Sequence, residues 1–186
     1  NGGKNNDDNR NDDDRDDNDD DRDDNNDDRD DNGDEDDDNE TEMTEVVKLG
    51  KVSCVVTFDT EERTAVVTRV TKKSVTSVTI PDTVTYAGKP YKVTEISDRA
   101  FYSCKKLKTV TIGKNVKKIG SKAFYNCRNL KKITVKTKKL ATKSVGAKAF
   151  GNTHKKVTVK VPASKYKIYK KLLVKKGISK KAKFRK

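Results

Sequence analysis

The sequence predicts an α+β solenoid, a short right-handed superhelix of about three to four coils between an N-terminal β-hairpin and a C-terminal helix. Residues 100–112 recur 23 positions later as residues 123–135, with Phe, Cys, Leu and a β-branched strand in matching places. A second landmark, an apolar residue four positions before an Ala-Phe pair, occurs three times. A fixed repeat of about 20 to 30 residues indicates a solenoid. A single repeat unit cannot bury its own apolar face, whereas stacked units bury one another's.

The first segment, residues 1–45, is acidic. It holds 24 Asp and Glu against five Lys and Arg, a net charge of −19, whereas residues 46–186 carry +32. Arg-Asp-Asp-Asn units begin at Arg15, Arg22 and Arg29. Because the segment has almost no apolar surface to offset the entropy lost on ordering, we expect a disordered tail.

A calcium loop within this tail is one further interpretation. Asp28, Asp30 and Asn32, followed by Gly33, match the opening of an EF-hand loop. The match is incomplete, because Asn39 stands at the twelfth position, where the loop needs Glu. Loose screening by divalent ions and a plain acidic spacer are the alternatives, and the incomplete match favours the spacer.

Residues 46–77 are predicted to form a hairpin cap. Two β-branched runs, 51–58 and 63–70, are separated by a polar turn at 59–62. The first coil of a solenoid would otherwise expose its apolar end, so a covering hairpin is expected there. Cys54 lies in the first run and is interpreted as a small buried hydrophobic residue.

Residues 78–161 are predicted to form the coils. Strands at 78–81, 110–113, 133–136 and 157–160 give steps of 32, 23 and 24 residues, and the long first step contains an insertion at 86–91 with Gly and Pro. The Ala-Phe pairs lie four residues after Ile96, Ile119 and Val145. This spacing predicts a single helical turn with a packed inner face. The stacked coils then place three rings in one ladder, namely Phe101, Phe124 and Phe150.

Residues 162–186 are predicted to form a helical cap. Pro162 ends the last strand, Ser164 is expected to cap a helix over 165–175, and Gly177 is expected to stop it. The residues Tyr166, Tyr169, Leu172 and Leu173 form one apolar stripe. We interpret this helix as the seal of the last coil; binding to an anionic membrane surface is the alternative. A basic strand or a frayed tail follows.

The repeat motif, Ile-x-x-x-Ala-Phe-x-x-Cys-x-x-Leu-x-x-Val-x-Ile-(Pro/Gly), resembles the BspA-like leucine-rich repeats of bacterial surface proteins over residues 78–161. The third coil departs from the motif, with Thr153 in place of Cys and Val157 in the later apolar position. The resemblance implies a leucine-rich-repeat fold, export to the bacterial cell surface or beyond, and binding or adhesive roles. It implies no catalytic activity.

Cys104 and Cys127 occupy equivalent places on adjacent coils. Stacking at about 4.7–4.9 Å leaves their Cβ atoms wider apart than the ~3.8 Å usual in a disulfide. We therefore expect free, buried thiols, and an odd total of three cysteines agrees. No third and fourth ligand recurs with them, so we expect neither a metal site nor a cofactor.

The sequence offers no catalytic constellation. His154 is the only histidine and has no acidic residue near it in sequence. No phosphate-binding glycine loop occurs, and no apolar run is long enough for a transmembrane span. No signal peptide is recognisable, and the chain begins at Asn1, so we interpret it as a fragment or a processed product.

Basic residues recur with the coils and provide the candidate binding surface. The first set, which we call the basic ridge, consists of Lys105, Lys106, Lys108, Arg128, Lys131, Lys132, Lys155 and Lys156. A second set consists of Lys114, Lys117, Lys118, Lys136, Lys138, Lys139 and Lys143. One interpretation is that lysines keep a repetitive sheet soluble and block edge pairing. The other is that they bind a polyanion.

Several partners fit a polyanion-binding surface. They are an anionic cell-wall polymer, a sulphated host glycan, or a host or cell-wall surface protein. Specific nucleic-acid binding is not expected, because lysines without arginine forks or a surface aromatic platform read no bases. The acidic tail is also predicted to compete for the basic residues within the chain. A passive spacer or accessory module of a larger protein is the alternative function.

Overall fold

The computed structural model of the protein describes residues 42–186. An antiparallel meander comes first, formed by β1 (Glu42–Leu49), β2 (Val52–Asp59) and β3 (Thr64–Val70). Both predicted strands of the hairpin are present as β2 and β3. β1 begins at Glu42, so the last four residues that we assigned to the acidic tail belong to a strand. The candidate calcium ligands Asp28, Asp30 and Asn32 lie outside the described residues.

The later elements follow at the repeat interval. They are β4 (Ser77–Ile80), β5 (Thr83–Tyr86), β6 (Lys89–Ile96), β7 (Thr109–Ile112), β8 (Lys118–Ile119), β9 (Lys132–Val135), β10 (Thr158–Lys160), α1 (Tyr166–Lys175) and β11 (Lys183–Arg185). Two sheets result. One has the order β11-β10-β9-β7-β4 with every pair parallel, and the other has the order β1-β2-β3-β6-β5 with β8 beside β6.

The parallel sheet is a stack of equivalent strands, one from each coil. Ile80 pairs with Ile112, and Ile112 pairs with Val135, as the repeat predicts. The predicted fourth strand is wrong by two residues, because Val159 pairs with Ile133 rather than with Val135. A two-residue slip leaves every side chain on its original face, so the alternation of apolar residues could not fix the register. Val157 is buried before β10 and takes the later apolar position of the motif, as expected.

The second sheet aligns in one column the apolar residues that precede each Ala-Phe pair by four positions. Ile96 pairs in parallel with Ile119, and Ile119 pairs with Val145. All three side chains are buried. β6 also pairs in parallel with β3, with Ile96 opposite Val67, so the N-terminal meander continues this sheet.

The predicted helical turn between the two sheets is wrong, although its inner face is packed. Arg99 and Ser103 have φ angles of 55° and 57°, which no α-helix contains. The amide of Phe101 donates to the carbonyl of Ala123 at 2.8 Å, and that of Phe124 to Ala149 at 2.8 Å. Apolar spacing alone could not separate a helical turn from consecutive tight turns. The structure uses turns because the neighbouring coil satisfies the amides that a helix would satisfy internally.

The phenylalanine ladder is confirmed. The rings of Phe101 and Phe124 are 5.1 Å apart and 2° from parallel, and those of Phe124 and Phe150 are 5.3 Å apart and 8° from parallel. All three are completely buried. The insertion in the first step forms the β5–β6 hairpin, which turns at Ala87 and Gly88, both with positive φ.

α1 packs its apolar stripe against the last coil, burying Tyr169, Leu172 and Leu173. The backbone amide of Leu140 donates to the Tyr169 hydroxyl at 3.0 Å. Ser164 does not cap the helix, because a 3-10 turn over Ala163–Lys165 precedes it and no side-chain cap is present among the described residues. Gly177, with φ 108°, ends the helix as predicted.

Candidate functional site

The basic ridge lies beside the starts of successive strands of the parallel sheet. Lys108 immediately precedes β7, and the amides of Lys131 and Lys132 both donate to its carbonyl, at 3.0 and 3.1 Å. Lys132 is the first residue of β9 and pairs with Thr109. Lys155 and Lys156 lie in the turn before β10. All eight side chains of the ridge are exposed, and the fold brings them onto neighbouring coils at one edge of the sheet.

The outward face of the sheet continues this surface. One column across the strands consists of Thr79, Thr111, Thr134, Lys160 and Arg185, and the next of Ser77, Thr109, Lys132, Thr158 and Lys183. Hydroxyl groups occupy these columns at the N-terminal end of the solenoid, and cations occupy them towards β11. In these two columns β4 and β7 have no cation, β9 and β10 have one each, and β11 has two, so the face is most basic at β11, which we did not derive from the sequence.

Carboxylates neutralise very little of this charge. Residues 42–186 contain 38 Lys and Arg and eight Asp and Glu. Within this range a single ion pair forms, between Lys118 and Glu95 at 2.8 Å, and it raises the pKa of the Lys118 ammonium through the hydrogen bond and charge of Glu95. Lys118 belongs to the second basic set, in which Lys139 also donates to Asn115 at 3.3 Å. Each cation of the basic ridge lacks a carboxylate partner in the described part of the chain.

Most other polar groups that could do chemistry have structural roles. Asp82 and Asp98 each accept a hydrogen bond at 2.6 Å from an amide of the following coil, that of Lys114 and that of Ser121. Asp59 accepts from the amide of Glu62 in the hairpin turn. The Nδ1 atom of His154 accepts from the amide of Lys156 at 3.2 Å. These groups stabilise turns, and no pair of them forms an acid–base site.

The cysteines form part of the core. Cys54, Cys104 and Cys127 are all free and buried, as predicted. Burial raises the pKa of Cys104 to about 11 and that of Cys54 and Cys127 to about 12. The Cys127 thiol donates to the Phe101 carbonyl at 3.2 Å. Thiols held in the neutral form are poor nucleophiles and poor metal ligands, and no cluster of three or more metal-ligating side chains occurs within residues 42–186.

A stacked aromatic pair, with Tyr102 exposed and Tyr125 half-buried, was missed by the sequence analysis, which expected no surface aromatic platform. The rings of Tyr102 and Tyr125 stack 5.7 Å apart and 10° from parallel. Tyr102 is 36% exposed. The repeat could have predicted this pair, because each tyrosine directly follows a buried phenylalanine of the ladder and must therefore point outward.

An amide ladder ties the two tyrosine turns together. The Asn126 side chain donates to the Ser103 hydroxyl at 2.9 Å, and its oxygen accepts from the Asn152 amide at 2.9 Å. The same oxygen accepts from Nε of Arg128 at 2.8 Å. Arg128 is therefore held in place on the basic ridge, whereas the amine groups of the neighbouring lysines make no such bond within residues 42–186.

A groove of about 770 Å³ lies on the outer side of α1. Its apolar floor comes from Tyr166 and Val174, and five lysines surround it, namely Lys167, Lys170, Lys171, Lys175 and Lys180. Tyr166 was predicted from the sequence as part of the apolar stripe of the helix, and none of the groove's lysines belongs to either basic set. None of the helices in residues 42–186 is long and apolar enough to cross a membrane.

Comparison with known proteins agrees with this architecture. Residues 70–179 match the family model of the BspA type leucine rich repeat region, in six copies. The comparison with curated proteins found no match. A leucine-rich repeat protein from Bacteroides capillosus is 23% identical, with a TM-score of 0.50 over 76% of this chain and 99% of that one.

A leucine rich cell surface protein from Faecalibacterium prausnitzii is 26% identical, with a TM-score of 0.48. That match covers 65% of this chain, which spans 37% of the length of the Faecalibacterium protein. The family model covers more than half of the sequence, and the repeat it describes is the one that builds the parallel sheet and the phenylalanine ladder. The chain belongs to the BspA-type leucine-rich repeat family.

Proposed function

We propose that this chain is a non-enzymatic binding module of an exported bacterial protein, located at the cell surface or outside the cell. Its ligand is an anionic polysaccharide, or an acidic surface protein of the host or the cell wall, bound along the basic ridge. One observation carries the proposal. Eight exposed cations from three neighbouring coils line one edge of the sheet, and none of them has a carboxylate partner within residues 42–186.

The spacing of the coils makes this charge effective. Adjacent parallel strands lie about 4.8 Å apart, whereas the Debye length is about 8 Å at physiological ionic strength. Cations on neighbouring coils therefore reinforce one another's potential rather than being screened separately. A polyanion that runs along the coils neutralises several of them at once and releases condensed counterions, which favours binding.

We also propose that the meander β1–β3 and helix α1 are the end caps of one binding domain. The amide of Val70 donates to Ala100 at 3.0 Å, which places β3 against the first coil. The amide of Phe150 donates to the carbonyl of Lys176 at 3.0 Å, which places the end of α1 against the last coil. These two contacts support the proposal that the caps cover the apolar ends of the stack and present the ridge on a closed body.

Two triple variants of the full chain test the proposal. Lys108→Gln/Lys131→Gln/Lys132→Gln removes three charges from the ridge, and Lys48→Gln/Lys89→Gln/Lys92→Gln removes three exposed charges from the other sheet. Affinity for heparin and for polygalacturonate is measured from about 50 to 300 mM NaCl. We expect the ridge variant to bind more weakly and to reduce the slope of log affinity against log salt by about three, roughly one per lost contact.

The control variant should change affinity much less at equal net charge. Equal losses in the two variants would mean that binding follows net charge rather than the ridge. If the unsubstituted chain binds neither polymer, the anionic polysaccharide is ruled out as the ligand, which leaves an acidic surface protein or the spacer function.

A further inference from the structure

We infer that β1 pairs edge to edge, in antiparallel orientation, with β1 of a second copy of the chain, so that the protein forms a weak two-fold dimer. This contact goes beyond the proposed function, because its partner is another copy rather than a ligand and its surface is not the basic ridge. β1 lies at the end of the β1-β2-β3-β6-β5 sheet and pairs only with β2. Its backbone forms no other backbone hydrogen bond within residues 42–186.

The length of β1 distinguishes it from the strands at the other sheet ends. β4, β5 and β11 have four, four and three residues, whereas β1 has eight. Short edge strands give a second chain few groups to pair with, and proteins use them to block association between edges. Every second residue of an antiparallel edge strand directs its N–H and C=O groups away from its neighbour. About half of β1 is therefore free to form a further ladder.

The side chains of β1 are also exposed. Met43 and Val46 are 45% and 64% exposed, and they are two of the four large hydrophobic residues that are exposed within residues 42–186. Met43 pairs with buried Phe58 and so shares its face of the sheet, at the margin of the core. A further strand beside β1 would reduce the exposure of both side chains, which favours pairing.

The charges of β1 are self-complementary in one register. A two-fold axis normal to the sheet keeps the core-facing sides of both copies together, so the register must be centred on a residue rather than between two residues. Centring on Glu45 places Glu42 opposite Lys48 of the second copy at both ends, whereas a shift of the centre by one residue opposes no unlike charges within β1. Glu42 and Lys48 are exposed, and neither is ion-paired within residues 42–186. This charge pattern identifies a second copy as the partner.

Glu45 limits the strength of the dimer. It is exposed, pairs with buried Val56 on β2, and lies at the centre of the register, opposite Glu45 of the second copy. Like charges directly opposite one another destabilise a strand pair, so the dimer is weak while both carboxylates are ionised. We expect Glu45→Gln to tighten dimerisation by about two- to fivefold.

Charge reversal in the full chain tests the register. The dimerisation constant is measured by sedimentation equilibrium at concentrations up to about 0.5 mM. We expect Glu42→Lys alone and Lys48→Glu alone to weaken dimerisation by about tenfold or more, because each variant opposes like charges at both ends. An equimolar mixture of the two variants should dimerise again, because every mixed pair has Lys opposite Glu at both ends.

Glu61→Lys and Lys180→Glu are the matched controls, because they make the same charge changes at exposed positions outside β1. They should leave dimerisation unchanged, both singly and mixed. The pairing is overturned if the unsubstituted chain and Glu45→Gln are both monomeric throughout, or if mixing the β1 variants restores nothing. Equal losses in the β1 variants and the controls would also overturn it, in favour of general attraction between the acidic segment of one copy and the basic body of another.

Discussion

Replacement of Phe124 by Ala tests the physical basis of the fold, because this ring is the centre of the ladder. Phe124 is fully buried and stacks on Phe101 at 5.1 Å and on Phe150 at 5.3 Å. Truncation of a buried Phe costs about 3–5 kcal/mol from lost transfer energy and the remaining cavity. Each aromatic stack adds about 0.5–1.5 kcal/mol. Phe124 loses two such stacks, whereas Phe101 and Phe150 each lose one.

We therefore expect Phe124→Ala to lower the free energy of unfolding by about 4–8 kcal/mol, and the outer variants Phe101→Ala and Phe150→Ala by about 0.5–1.5 kcal/mol less. Urea unfolding followed by far-UV circular dichroism and tyrosine fluorescence measures this, since the chain has six Tyr and no Trp. Phe124→Leu is the matched control, because it keeps most of the buried volume and removes only the stacking. A smaller loss for Phe124→Ala than for Phe101→Ala would refute the reasoning that coils stabilise one another through this ladder.

Four further predictions concern other parts of the molecule. Because burial raises the pKa of the three thiols from the ordinary value of 9.0 to about 11–12, the unfolded chain ionises first, and stability should fall as pH rises from about 9 to 12 in urea titrations, less so in a Cys-to-Ala variant. Thr153→Val should raise stability by about 1 kcal/mol in the same assay, because the Thr153 hydroxyl is buried and has no hydrogen-bond partner within residues 42–186. Gly177→Ala should cost more than Gly88→Ala, since both have positive φ but a Cβ at Gly177 would lie 2.6 Å from the Gly151 nitrogen and one at Gly88 would meet nothing within 4 Å. Removal of residues 1–41, which hold most of the acidic residues, should tighten heparin binding and steepen its salt dependence if the predicted internal competition occurs; unchanged affinity would contradict it.

The parts of the fold that sequence analysis predicted correctly are those that repeat. The repeat period places equivalent residues of successive coils next to one another. It therefore predicts the pairing of Ile80, Ile112 and Val135 and the phenylalanine ladder. The register of Val159 could not be predicted, because a shift of two residues keeps each side chain on the same face of the sheet. The turns at Arg99 and Ser103 did not follow either, because they depend on hydrogen bonds to the next coil, which local apolar spacing does not encode.

The candidate site follows a different rule, since its most specific features occur where the repetition breaks. The tyrosine column has two rings because the third coil has Gly151 in that position, and Gly151 lies against the ring of Tyr125. Arg128 follows Cys127 at the place where the first coil has Lys105, and Asn126 can fix its Nε only because the amide ladder runs through that coil. A uniform array of lysines would attract any polyanion, and the selectivity of this surface has to come from residues that do not recur. Arg128→Lys separates general electrostatic attraction from selectivity, because it restores the lysine of the repeat without changing the charge.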